Sequence, residues 1–342
     1  MAMTETDAEA TELEGGAPRG AGRRRAQPAP FVFVGGTGRS GTHVLARLLS
    51  RHPHFALVPV EVRFHVEERG FPGLLAGQVS RDDFVRRLRG FWWKGFQTGR
   101  MRGMFRFVDE ERFDAAVAAF ETTFDDDPEA ACRRLFCDLL WFRVTHANAK
   151  GLIEQSTDTV AQAATLARLF EGAKFIHVVR DGRDASASRV AQTRGVISPR
   201  TRRQGLEWWE GRIRGVDAGS RAVPPDRLLT VSLDELLLGR PRALRPLCRF
   251  TGVFIRKEMR RFFRRRMSAE HAHAERWREG LSERQIREVE RAYEETLQRL
   301  EADGIACAPL LRRTLERSRA GAADGPEPMA YVSGDGREIE VG

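Results

Sequence analysis

The sequence reads as an α/β protein, a doubly wound parallel sheet flanked by helices and carrying a largely helical insertion. Phe31 to Val34 is an apolar, mostly β-favouring run that enters a glycine-rich turn and then an apolar-periodic run, Val44, Leu45, Leu48 and Leu49, which spells strand, loop and helix. Gly151 to Glu154, Thr159 to Phe170 and Ala173 to Val179 give strand, helix and strand, the spacing of a parallel α/β unit. Polar motifs stand where the strands end, as expected when a ligand sits in the crevice at their carboxyl ends.

Taken in order, residues 1–29 are a polar, Gly- and Pro-bearing extension, expected to be disordered. Residues 30–318 are expected to form one domain and residues 319–342 a polar tail, in which AYVSGDGREIEV has the pattern of a small hairpin. After the first loop and helix, His52-Pro53-His54 turns the chain into a strand over Phe55 to Val60, which delivers Glu61-Val62-Arg63 to its carboxyl end. Residues 70–146 read as a mostly helical insertion, a candidate cover for an acceptor site. It is broken by the aromatic and basic stretch FWWKGFQTGRMRGMFRF and by the turn Asp125-Asp126-Asp127-Pro128. Arg180-Asp181-Gly182-Arg183-Asp184 closes the strand that begins at Ala173, and a helix from Ala185 onward bears Ser186 and Ser188. Leu228 to Val231 is a further strand before the helix-forming run LDELLL; RKEMRRFFRRR, residues 256–266, is very basic; Leu281 to Leu300 is a strongly periodic helix. There are no internal repeats.

A charged fraction of 31% and a hydrophobic fraction of 41% over 342 residues suit a soluble globular protein with a substantial core. No apolar run approaches the roughly 18 residues of a membrane span, and the first thirty residues hold no apolar segment of the secretory type, so a cytoplasmic location is expected. Cys132, Cys137, Cys248 and Cys307 show neither a disulfide framework nor metal-ligand spacing. The net charge of +9 is spread widely and is nearly all arginine, the bias of a GC-rich, bacterial genome, and does not argue for nucleic-acid binding.

The first turn carries the chemistry. Its glycines let successive N–H groups point into one concavity, while the helix beginning near Ser40 to Thr42 aims its positive end at the same place. An anion is expected there, held by Gly36, Thr37, Gly38, Arg39, Ser40, Gly41, Thr42 and His43, which makes the sheet one of the P-loop type. A nucleotide-triphosphate loop starting at Gly36 needs lysine at position 42, but the chain has Thr42 and carries its cation inside the loop, at Arg39. No acidic partner strand for Mg²⁺ is evident, so ordinary ATP chemistry lacks two of its parts. A P-loop small-molecule kinase is the main rival enzyme, and a catalytically weak nucleotide-binding module a third reading. Arg180 and Ser188 offer a second anchor, a forked cation and a hydroxyl that can converge on another phosphate.

With GTGRSGT and RDGRD on one chain, the sequence resembles the sulfotransferases that use 3′-phosphoadenosine 5′-phosphosulfate (PAPS). In motif style it is closest to the tyrosylprotein sulfotransferases and related bacterial enzymes. The resemblance implies that GGTGRSGTH holds the 5′-phosphosulfate and that Arg180 and Ser188 hold the 3′-phosphate. It implies further that Glu61 is the general base, with Arg39 and Arg63 as catalytic cations, and that no metal takes part. His43 and His65 are rival bases. The family often places a lysine after the third strand, where this chain reads Glu154-Gln155-Ser156-Thr157, so Gln155 lacks the expected charge. AERWREGLS looks like the family's closing segment near the 3′-phosphate, with Arg264 to Arg266 and Arg276 as contributors. The acceptor is expected to be a small molecule bearing a hydroxyl, a natural product or a carbohydrate. The aromatic stretch from Phe91 to Phe107 suits a phenol, and the basic balance an anionic sugar or acidic peptide.

Overall fold

Six strands form one sheet in the order β2-β3-β1-β4-β5-β6. In this computed structural model the described residues are 29–95, 103–192, 198–239, 241–267, 275–320 and 330–339. The expected disordered extension lies outside them up to residue 28. β1 (Phe31–Gly36), β2 (Phe55–Leu57), β3 (Gly151–Glu154), β4 (Lys174–Val179) and β5 (Leu228–Ser232) run parallel, and β6 (Tyr331–Ser333) pairs antiparallel with β5. The strand order reverses about β1, which lies between β3 and β4, so the crevice falls at the carboxyl ends of these central strands. β1 and β4 are buried almost throughout, as a parallel sheet covered on both faces requires.

α1 (Thr42–Leu49) follows β1 and packs on one face. On the other face lies the insertion, whose longest helices are α2 (Glu110–Thr123) and α3 (Pro128–Leu140), capped by the side chains of Asp109 and Asp127. Phe33 on β1, Phe136 on α3 and Phe170 form an aromatic cluster with ring centroids 4.7–6.1 Å apart. Burying each such ring contributes about 1.5–3 kcal/mol. Trp92 is buried, Trp93 lies 4.1 Å from Phe113, and Phe91 and Phe107 pack against the same core, whereas Phe105 is exposed; residues 96–102 lie outside the described residues.

Beyond α4 (Ala163–Leu169), β4 leads into α5 (Gly182–Ala191), which packs against α6 (Arg202–Ser220). α7 (Leu233–Leu238) follows β5, α8 (Lys257–Arg266) returns to lie on α1, and α9 (Glu283–Ala302) and α10 (Ala308–Ala320) complete the chain's helical cover.

Three expectations change. The strand expected over Phe55 to Val60 stops at Leu57: the Val58 N–H still donates to the Ile153 carbonyl at 2.9 Å, but the Val58 carbonyl accepts from the Gln155 side chain instead of from the backbone beyond β3, which leaves Glu61 on a loop past the strand. The helix expected from Thr159 begins only at Ala163, after a single 3₁₀ turn over Thr157–Thr159. The polar tail is partly structural: Tyr331 is fully buried, its hydroxyl donates to the Ala243 carbonyl at 2.7 Å, and the hairpin that follows it closes through Ser333 N–H to Arg337 O at 2.8 Å.

Candidate active site

The loop after β1 is held open by residues chosen for backbone shape. A Cβ on Gly36 would sit 2.4 Å from the Val178 carbonyl on β4 and 2.6 Å from Ser40 Oγ. Gly41, with φ of 93°, is the N-cap of α1, and a Cβ there would meet Leu233 on α7 at 2.4 Å. Between them Arg39 adopts a φ of 60°, a left-handed conformation that costs a non-glycine residue about 1 kcal/mol or more. Ser40 Oγ is buried and has no hydrogen-bond partner among the described residues. A loop of such backbone, at a helix N-terminus and with an unsatisfied hydroxyl, is built for an oxyanion.

The two anchors expected from the sequence meet. Arg39 Nε donates to Ser188 Oγ at 2.9 Å across 149 positions, and Arg180 Nη1 approaches the Arg39 carbonyl at 3.5 Å. Arg180 is buried beside two carboxylates, Asp184 at 3.7 Å and Asp234 at 3.8 Å. Burial pushes Asp234 up to about 7 and Asp184 up to about 6, against the pull of Arg180. Both are further engaged: Asp234 accepts the Asp181 N–H, and Asp184 accepts those of Glu275 and Trp277. Arg183, the second arginine of RDGRD, is instead structural, fully buried on Asp181 at 2.6 Å and over the rings of Trp277 and Tyr293.

Burial and the like charges of Arg180 and Arg189 hold the Arg39 guanidinium below its ordinary pKa. Three guanidinium groups crowded together are stabilised by an anion between them.

Glu61 forms the opposite wall. Its Oε2 accepts from Arg63 Nη2 at 2.6 Å and Nε at 2.9 Å, and its Oε1 accepts from Thr157 Oγ1 at 3.2 Å with His43 Nε2 at 3.4 Å. Burial alone would raise this carboxyl, but the bond from His43 and the charge and fork of Arg63 hold it down at about 2. The same bond to Glu61 raises His43. Arg63, like Arg39, sits at positive φ, 58°, and its N–H donates to Ser156 Oγ.

His65 is removed from the list of bases. It is fully buried among the rings of Phe33, Phe64 and Phe136, and its Nε2 lies 3.0 Å from Glu154. Gln155 is buried too and gives its side-chain N–H to the Val58 carbonyl at 3.0 Å, so that donor is spent on the backbone. Of Arg264 to Arg266, the cleft wall includes Arg266; Arg276 is exposed and pairs with Glu279 at 3.6 Å.

Between these walls lies a cleft of about 520 Å³. It is lined by the loop, Glu61, Arg63 and Arg180, and also by Thr157, Arg189, Trp208 and Arg212, which sequence reasoning missed. Arg189 adjoins Ser188 in the chain, and Trp208 and Arg212 stand one turn apart on α6. Nothing local says that this face of α6 meets the loop.

The profile described as "Sulfotransferase family" matches residues 30–255. Among characterised proteins, the chain is 26% identical over 233 residues to protein-tyrosine sulfotransferase 2 of Gallus gallus, a match covering 67% of this chain and 53% of that protein. It is 24% identical over 227 residues to protein-tyrosine sulfotransferase of Drosophila melanogaster, covering 66% and 38%. The chain thus spans about half the length, or less, of these relatives. Among solved structures, the sulfotransferase domain from the Synechococcus PCC 7002 olefin synthase aligns with a TM-score of 0.45 at 18% identity, over 79% of this chain and 94% of that one.

Proposed function

Since the chain belongs to the sulfotransferase family, we propose that it moves a sulfuryl group from PAPS to a hydroxyl of a small-molecule acceptor, in line and without a metal. The observation that carries this reading is the Arg39–Ser188 hydrogen bond, which brings two anion motifs into one cleft that also holds a carboxylate. The residues present fit a nucleotide with phosphates at both ends: Ser40 Oγ and the loop N–H groups for one, and Arg180, Ser188 and Arg189 for the other. PAPS supplies an activated sulfuryl group on a phosphate oxygen.

Arg39, the loop N–H groups and the amino end of α1 place fixed positive potential where negative charge builds up in such a transfer. Glu61, oriented by Arg63 and Thr157, accepts the hydroxyl proton. Low basicity suits this task when the proton leaves late, after bonding to sulfur has acidified the hydroxyl. A phenolic hydroxyl, as in the tyrosine of the relatives' names, belongs among the acceptors to be tried.

With Glu61 held at about 2, the rate should stay level as pH falls from 8 to 5. A base must be ionised to work, and this carboxyl loses its charge only as pH drops toward its own pKa. An acid limb above the ordinary histidine value, abolished in His43→Asn, would assign the proton to His43 instead. The reaction itself is tested by incubating the protein with PAPS and a panel of phenols and sugars. The expected result is release of 3′,5′-phosphoadenosine (PAP) together with a product heavier by one sulfonate. Binding of PAP without release under any acceptor would leave a nucleotide-binding module, and Mg²⁺-dependent ATP consumption would favour a kinase.

A further inference from the structure

The cleft uses Arg266 of α8, and the rest of that helix has no role in the chemistry. In ten residues α8 carries Lys257, Arg260, Arg261, Arg264, Arg265 and Arg266 against the single acid Glu258. Met259 and Phe263, one turn apart, are buried, which leaves Arg260, Arg261, Arg264 and Arg265 exposed in two adjacent rows. Among the described residues, no acidic side chain lies within ion-pair distance of these four. Some surface arginines elsewhere are paired, as in Arg203–Glu207, Arg284–Glu288 and Arg312–Glu301, and others, such as Arg47 and Arg291, stand singly among the described residues. What sets α8 apart is that four arginines of this kind gather on one helix face. Arg51, just past the end of α1, extends it by lying 5.0 Å over the Phe262 ring.

An apolar group stands at the edge of this cationic face. Phe254 is 60% exposed, the most exposed large apolar side chain among the described residues, and the Arg256 guanidinium lies 4.3 Å over its ring. Arginines repeated one turn apart repel one another, so the face is relieved when an anionic surface covers it. A soluble polyanion offers nothing to the exposed ring, whereas the boundary of a bilayer accommodates both an aromatic ring and a row of cations.

We propose that α8 and Phe254 dock the protein on an anionic lipid bilayer, with the arginines at headgroup level and the ring in the interface. Among the described residues no helix is long and apolar enough to cross a membrane, and a face that lies on one needs no such helix. Because Arg266 at the end of the same helix lines the cleft, docking holds the site beside the bilayer. That consequence for acceptor supply rests on the proposed reaction, but the docking does not.

The test is cosedimentation of the full chain with vesicles of phosphatidylcholine alone and of phosphatidylcholine with an equal part of phosphatidylglycerol. Binding is expected to the anionic vesicles only, to weaken with added salt, and to fall by about tenfold or more when Arg260→Glu and Arg261→Glu are combined. Phe254→Ser should weaken it severalfold, and PAP binding by these variants shows that they are folded. Failure to bind anionic vesicles, equal binding to neutral ones, or vesicle binding untouched by Phe254→Ser with heparin bound as well would each overturn the proposal. None of these outcomes bears on whether PAPS is turned over.

Discussion

Glu61→Gln should lower kcat for sulfuryl transfer by about 10²- to 10⁴-fold, the contribution of a positioned general base, while PAP binds almost as before. The substitution keeps the shape of the site: the amide oxygen still accepts from Arg63, and the Thr157 hydroxyl can turn to meet the new N–H. What is lost is the charge and the lone pair that receives the proton. Arg63 retains Glu67 at 3.8 Å as a second carboxylate, so it is not left without a counter-charge. Single-turnover rates paired with calorimetric titration of PAP separate the two effects. Equal loss of turnover and PAP affinity would count against Glu61 as the base and point to a collapsed wall.

Arg180→Ala should act on the other side of the ledger, raising the donor KM by about 10- to 10²-fold with kcat changed little. A charge-assisted hydrogen bond is worth roughly 1.5–3 kcal/mol, and one made equally in the ground and transition states appears in KM alone. Asp184 and Asp234 lose their shared cation in this variant. Burial already holds their carboxyls at about 6 and about 7, so they take up protons rather than remain as buried charges. Arg180→Lys restores the charge without the fork and should fall between the two. An unchanged donor KM would refute the assignment of Arg180 to the nucleotide. The two variants also separate the halves of the cleft: Glu61→Gln leaves donor binding intact, and Arg180→Ala leaves the chemical step intact.

Much of the fold was legible because its signals are local. The glycine loop, the β-rich run before it and the apolar period after it lie in nineteen consecutive residues, from Phe31 to Leu49, and each follows from the backbone freedom or side-chain period of those residues alone. The strand ends misjudged at Val60 and the tail misjudged at Tyr331 depended on pairing. The second strand ends where the Gln155 side chain takes the Val58 carbonyl, which is decided only once β3 is the partner, and Tyr331 becomes core only once β5 offers an open edge.

By itself, then, the sequence determined the glycine loop, the order of the strands along the chain and the residue types proposed to meet anions, since these are properties of neighbours. Tertiary structure decided which of those residues work together. It set Arg39 against Ser188, brought Arg189, Trp208 and Arg212 to the cleft, sank His65 onto Glu154, tied Gln155 to Val58 and sent Arg183 into the core. Each of these pairings joins elements that meet only when the sheet closes, through burial and contact across many tens of residues, and no period or spacing in the chain encodes which side chains will face one another there.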